Sequence, residues 1–100
     1  MPRKVIITKT AEKKLIKLFD YLRENWSKKV KDEFLRKLDH NLKIIKIHPE
    51  IFPESQDKPG LHRAVITKQT TIFYRYNSSE IKIVTVFDTR QNPNSLKKDL

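Results

Sequence analysis

The sequence predicts an α+β domain with the order β-α-α-β-β-β, a helical hairpin packed on one face of a small antiparallel sheet. Three observations carry this reading. Apolar residues recur at three- and four-residue spacing from Ala11 to Ile45, the period of helices that bury one face. The stretch from Leu61 to Phe87 is rich in β-branched and aromatic residues and is broken by polar turns, as consecutive strands are. A short β-branched run, Val5-Ile6-Ile7-Thr8, comes before the helices and reads as a first strand. Two helices over such a sheet leave its other face partly open.

Each element has its own signals. Thr10 stands where a helix N-cap would, with a hydroxyl able to accept from a free amide of the first turn. Ala11, Leu15, Leu18, Leu22 and Trp26 then form one stripe, with Phe19 beside it, so the first helix is expected over 11–25. Ser27 is the next N-cap, and Asp32 and Glu33 suit the positive end of a helix dipole. Val30, Phe34, Leu38, Leu42 and Ile45 make the second stripe. His48-Pro49 stops it, because a residue before proline is pushed out of the α region. The short link between the helices implies an antiparallel hairpin. The large residues of both stripes, Trp26 included, read as core.

Residues 49–60, PEIFPESQDKPG, hold three of the five prolines and the only glycine. They read as a loop and a spacer, with Ile51 and Phe52 as its anchors. LHRAVIT over 61–67 and TTIFYRY over 70–76 follow as strands around a tight turn at Lys68-Gln69, which lacks the glycine or asparagine such a turn prefers. Asn77-Ser78-Ser79-Glu80 is a better turn by composition. IKIVTVF over 81–87 is apolar on both faces in its middle, as a central strand would be.

One hundred residues fit a single domain spanning 1–100, with a flexible tail expected from about residue 94. The formal charge is +10, from 22 Lys/Arg and 12 Asp/Glu. Residues 1–50 carry fourteen basic and seven acidic side chains, and residues 51–100 carry eight and five. Most lysines on the helices read as a solvated face. The summed charge still makes a long-range field that attracts polyanions or an acidic protein. There are no cysteines, which excludes disulfides, zinc–thiolate sites and thiol catalysis and fits a reducing compartment. The N-terminal apolar run is too short for a signal peptide, and nothing approaches a membrane span. A cytoplasmic protein without cofactors is the expectation.

Five side chains in the second half could carry chemistry: His62, Arg63, Lys68, Arg75 and Arg90. Alternation on a strand sends His62 and Arg63 to opposite faces. Arg63 and Arg75 read either as exposed contacts or as ion-pair partners of Asp88 or Glu80. Arg90, just past the last strand, reads as an exposed contact. His40, His48 and His62 lack metal-ligand spacing, and the serines lack a nucleophile elbow. A single glycine rules out a glycine-rich phosphate loop. Metal-free RNA cleavage needs proton carriers and phosphate-holding cations. His62, Tyr74 and Tyr76 are candidates for the first task and the arginines for the second. The tyrosines read equally as strand packing.

Taken together, VIITKTAEKKL, YLRENWS, HPEIFPES, LHRAVITKQTTIFYRY and IVTVFDTRQNP, in this order and spacing, resemble the RelE/ParE superfamily of bacterial type II toxins. The likeness runs from about Lys4 to Pro93. The long helical hairpin and the DTRQNP ending are more similar to ParE than to RelE. The resemblance implies a growth-inhibiting toxin neutralised by a cognate antitoxin that wraps it with an extended or helical tail. ParE-like members inhibit DNA gyrase, and RelE-like members cut mRNA on the ribosome.

Two departures point away from the nuclease. The basic residue that ribonuclease members carry upstream of the third-strand aromatic falls near Thr71 if Tyr74 is that aromatic. The tyrosine or histidine that often follows their last arginine is missing from Gln91–Leu100. The leading expectation is therefore a gyrase-binding toxin with Arg63, Lys68, Arg75 and Arg90 as contacts and Lys97 and Lys98 on a mobile tail. The second is a nuclease in which Arg63 and Arg90 hold phosphate and His62 or Tyr74 moves protons. The third is an inactive member that only binds.

Overall fold

The computed structural model describes residues 3–90, so the expected tail with Lys97 and Lys98 lies outside the described residues. The first strand, β1, is Lys4–Ile7. Helix α1 covers Lys9–Asn25 and α2 covers Lys28–Ile47. A 3-10 turn at Pro49–Ile51 leads into the loop, and three strands follow: β2 (His62–Val65), β3 (Thr70–Tyr76) and β4 (Glu80–Asp88). The sheet order is β1-β4-β3-β2, which gives β4 a neighbour on each side, as its apolar middle predicts.

The three later strands are antiparallel, as expected. β1 instead runs parallel to β4, with Val5 opposite Ile81 and Ile7 opposite Ile83, so the four-stranded sheet is mixed. A parallel neighbour needs a long crossover, and the helical hairpin is part of that connection. Between Phe73 and Tyr74 the β3–β4 register shifts: Phe73 faces Thr85 and Tyr74 faces Ile83, leaving Val84 as the extra residue.

That irregularity bears on where α1 starts. The N-cap is Thr8, not Thr10. Its hydroxyl oxygen accepts from the Ala11 amide at 3.1 Å and donates to the Val84 carbonyl at 2.7 Å. One side chain thus caps the helix and ties it to the sheet, a tertiary link that local spacing cannot reveal. Ser27 caps α2 as expected, accepting from Val30 N–H at 3.1 Å.

The core joins Ala11, Leu15, Leu18 and Leu22 of α1 to Phe34, Leu38 and Ile45 of α2. Ala64, Ile66, Ile72, Tyr74, Ile81, Ile83 and Val86 complete it from the sheet side. Each large side chain buried there contributes roughly 1.5–3 kcal/mol of apolar transfer. Trp26 is not part of it and is 58% exposed. The helix ends at Asn25, and Trp26 leaves it at φ −122° and ψ −97°, so the stripe extrapolated from Leu22 misses its target. Ile51 is also exposed, while Phe52 packs against the core, so only one of the two expected loop anchors is buried.

The link from β2 to β3 spans four residues, not two. Ile66 N–H reaches Thr70 O at 2.9 Å, and Thr67 Oγ1 accepts from the Gln69 and Thr70 amides. A threonine hydroxyl supplies the turn chemistry that the missing glycine would have given. At the next turn Asn77 Oδ1 accepts from the Ser79 and Glu80 amides, in line with its composition.

Candidate functional site

Alternation along the strands divides the second-half cations between two faces. Ile72, Tyr74, Ile81, Ile83 and Val86 face the helices and belong to the core. Arg63, Arg75 and Lys82 lie on the other face, and all three are exposed. Arg75 stands directly opposite Lys82 in the register, and Arg63 stands opposite Phe73, one diagonal step from Arg75. Like charges directly opposite each other on a sheet are destabilising. None of the three makes an ion pair among the described residues.

Arg75 is nevertheless held. Its Nη1 donates to Pro59 O at 3.1 Å. The next residue, Gly60, has φ +81°, and a Cβ there would come within 3.0 Å of the same Nη1. The only glycine of the chain is therefore where the backbone both turns left-handed and closes on the guanidinium. Arg75 and Lys82 share a recess of about 130 Å³ with Tyr76, Asn77 and Glu80. Arg3 lies over the Tyr76 ring at 5.6 Å and donates from Nε to Asn77 O at 2.6 Å, adding a third cation to that end of the sheet. Arg63 borders a second recess with Glu54 and Asp57, so its charge is partly offset.

Arg90 corrects the expectation of an exposed contact. Its side chain is only 16% exposed and forks onto a buried carboxylate, Nε to Asp88 Oδ1 at 2.9 Å and Nη2 to Asp88 Oδ2 at 2.7 Å. The Arg90 amide donates to Asp88 Oδ1 as well, and the Thr70 hydroxyl makes a short bond to Oδ2. Burial alone would raise the Asp88 carboxyl. The hydrogen bonds from Arg90 and Thr70 outweigh it and hold the group below its ordinary value. The same bonds push Arg90 up, although burial opposes them. Asp88 is thus the ion-pair partner foreseen for Arg63 or Arg75, but it serves Arg90. Lys68 is exposed on the β2–β3 loop. That loop is tied to the Arg90 end, since Gln69 O accepts from Thr89 N–H at 2.9 Å. Of the four expected contacts, the structure brings Arg63 and Arg75 together and puts Lys68 and Arg90 elsewhere.

The proton carriers considered for RNA cleavage are on the helix-covered side. Tyr74 is fully buried, and its hydroxyl donates to Pro49 O at 2.6 Å. Burial, then Tyr76 and Glu50, push its ionisation well above the usual phenol value. His62 is 7% exposed. Its Nδ1 faces Phe52 O at 2.7 Å, so that nitrogen is the donor, and its ring stacks on Tyr74 with centroids 5.4 Å apart. Its Nε2 is 3.9 Å from Glu54 Oε1. Both rings pin the loop to the sheet, on the face opposite Arg63. Tyr76, at the strand end, is partly exposed and lies 5.1 Å from the His62 ring.

Lys82 is the cation that sequence reasoning missed. The signal was present: folding the chain about Asn77–Ser79 puts Lys82 across from Arg75.

Residues 5–93 match the family model described as the ParE toxin of the type II toxin–antitoxin system parDE. No curated protein sequence gives a significant match. Among solved structures, a chain of the chromosomal ParDE toxin–antitoxin system of P. aeruginosa superposes with a TM-score of 0.70 at 12% identity, covering 86% of this chain and 95% of that one. A chain of the E. coli DinJ–YafQ toxin–antitoxin complex gives 0.61 at 9% identity, covering 90% and 96%. E. coli YafQ alone gives 0.58 at 9% identity, covering 88% and 94%. At such identities the likeness is one of fold.

Proposed function

This chain belongs to the ParE toxin family of type II toxin–antitoxin systems, and from that premise we propose that it stops growth by binding DNA gyrase and is held inactive by a cognate antitoxin. The observation that carries this reading is the exposed cation cluster Arg63, Arg75 and Lys82 on the sheet face opposite the helices, which has no ion pair among the described residues. Like charges facing each other across strands cost folding stability, and an acidic surface docked on them would offset that cost and speed encounter. Arg75 is already fixed by Pro59 and Gly60, so little side-chain freedom is lost on binding. Antitoxin capture fits the same net charge of +10 and is the arrangement of the P. aeruginosa and E. coli neighbours.

The burial of His62 and Tyr74 weighs against the ribosome-dependent nuclease. A proton carrier must come within hydrogen-bond reach of the reacting oxygen. Tyr74 has its hydroxyl committed to Pro49 O, His62 has Nδ1 committed to Phe52 O, and Arg63 is on the opposite face. Arg90, the other phosphate holder considered, is neutralised by Asp88.

The test runs two reactions in parallel. Purified protein is added to a gyrase supercoiling assay and to a bacterial translation reaction whose mRNA ends are mapped by primer extension. Loss of supercoiling with intact mRNA is the expected result. Codon-phased cuts in the mRNA with normal supercoiling would overturn it.

A further inference from the structure

The loop before β2 and the open face of the sheet meet at one side chain, Arg75. It stands on β3, with Lys82 of β4 opposite it on one side and the run into β2 on the other. Two facing cations repel. The Arg75 head group leans the other way, its Nη1 donating to Pro59 O at 3.1 Å on the β2 side. That bond draws the guanidinium away from Lys82, and both side chains line the recess of about 130 Å³. The Pro59 carbonyl is itself held in place by its neighbours. Gly60 N–H donates to Glu54 Oε2 at 3.3 Å, Leu61 N–H donates to Lys58 O at 3.1 Å, and Ser55 N–H donates to Leu61 O at 2.6 Å. Glu54 also bridges His62 through the backbone, and the buried His62 ring holds Phe52 O. The loop is thus tied to the start of β2 on either side of Pro59. A Cβ at Gly60 would stand 3.0 Å from Arg75 Nη1, so a side chain there would push the guanidinium off its carbonyl.

We propose that this loop positions Arg75 so that its remaining N–H groups and the Lys82 ammonium form a seat for one carboxylate side chain of the target, with Gly60 and Glu54 as positioning residues. A guanidinium has five N–H donors in a planar fork, and Pro59 O uses one of them. A carboxylate is the acceptor that matches such a fork. Among the described residues, neither Arg75 nor Lys82 has an acidic partner, although Glu80 borders the recess. Arg3, over the Tyr76 ring, adds a third cation at the same end. At roughly 30 Å³ for a water-sized group, the recess has room for a carboxylate. An anion placed there would turn the standing repulsion between Arg75 and Lys82 into two attractions. The inference rests on the gyrase reading, which supplies a protein surface as the ligand. It names the contact that surface makes and the residues that prepare it in advance.

The test has two readouts. Nitrogen-15 relaxation of the arginine side chains is measured on the free protein. Arg63 serves as the control, since it is exposed on the same face and its side chain has no hydrogen bond among the described residues. The Arg75 Nε–H is expected near the rigid order parameter of about 0.85, and that of Arg63 below about 0.6. Gly60→Ala and Glu54→Ala should bring Arg75 down to the Arg63 level. Glu54→Gln, whose amide oxygen can still accept from Gly60 N–H, should leave it ordered. Affinity for gyrase without DNA is then measured as a double-mutant cycle. Gly60→Ala should weaken binding about tenfold in the parent and not at all in an Arg75→Gln background, because a residue that acts through another adds nothing once the other is gone. A parent Arg75 as mobile as Arg63 would overturn the inference and leave the gyrase reading standing, as would equal losses from Gly60→Ala in both backgrounds. An Arg75 contribution that emerges only when DNA is added would put a phosphate in the seat and overturn the carboxylate. A parent that does not bind gyrase would remove the gyrase reading and the seat together. If Gly60→Ala does not fold, Glu54→Ala carries the cycle, with Glu54→Gln as its rescue.

Discussion

Arg90 and Arg75 stand near opposite ends of β4 and live in opposite circumstances. Arg90 forks onto Asp88, whose side chain is 1% exposed, and the Thr70 hydroxyl completes the network. Arg75 faces Lys82 across the strands and, among the described residues, has only the Pro59 carbonyl as a hydrogen-bond partner. In the first case a charge has been spent on holding the end of β4 to the start of β3. In the second a charge is kept available at a standing electrostatic penalty. The contrast separates a cation that maintains the fold from one that the fold presents. On the proposed function, it also divides the expected mutational effects into those on stability and those on inhibition.

The largest effect is expected at Asp88. Asp88→Asn leaves Arg90 with an unbalanced, mostly buried charge, and removal of one member of such a pair costs about 3 kcal/mol. Urea denaturation would show it as a lowered midpoint with an unchanged slope. The pH dependence follows from the direction of the Asp88 shift. Its folded carboxyl lies below the ordinary 3.8, so the unfolded chain takes up this proton first as pH falls. The pair's contribution is complete above about pH 4 and disappears as pH drops through the folded value. Acid titration of the Asp88→Asn protein should lack this component. A midpoint within about 0.5 kcal/mol of the parent would mean that Arg90 is not a fold-maintaining cation.

The other arm of the comparison predicts the reverse pattern. Arg75→Gln combined with Lys82→Gln should leave stability within about 0.5 kcal/mol of the parent, or raise it slightly, because the opposed like charges are gone. Inhibition of the target should fall about thirtyfold, the equivalent of ~2 kcal/mol of contact energy. If growth arrest persists at parental expression levels, the open face is not the surface that matters. If the double variant loses stability as Asp88→Asn does, the two ends are alike and the distinction fails.

Next in size is Tyr74→Phe. The hydroxyl is the partner of Pro49 O in a buried setting, and its loss leaves that carbonyl unpaired for about 1–2 kcal/mol. A structural role predicts lower thermal stability and unaltered inhibition per folded molecule. A proton-transfer role predicts the opposite split, with full stability and lost activity.

Much of this arrangement could be read before the structure. The helical hairpin, the Ser27 cap, the Asn77 turn and the central position of β4 follow from periodicity and local turn chemistry. The opposite faces of His62 and Arg63 follow from the two-residue repeat of a strand. What could not be read depends on contacts distant in sequence. Thr8 outranks Thr10 as a cap because Val84, 76 positions away, accepts its hydroxyl. Arg90 is withdrawn from the surface because Asp88 is buried beside Thr70, 18 positions away from it. β1 is parallel because the helices carry the chain back across the sheet. For Arg75 and Lys82, position along two strands joined by a short turn sufficed in principle, because a hairpin fixes its own register.

The smallest effect is expected at Trp26, where the helical stripe and the structure disagree. A tryptophan in the core would cost roughly 3–5 kcal/mol on truncation. One that is 58% exposed at the tip of the hairpin should cost about 0.5 kcal/mol or less. Trp26→Ser is therefore expected to melt within a few degrees of the parent. The residue is the only tryptophan of the chain, so its fluorescence reports that one position. Water around the ring predicts red-shifted emission in the folded toxin and ready quenching by iodide. Blue-shifted emission, shielded from iodide in the isolated protein, would return Trp26 to the core and with it the simple stripe that Leu22 begins. If the shift to shorter wavelength appears only when the antitoxin is added, the hairpin tip is part of the docking surface.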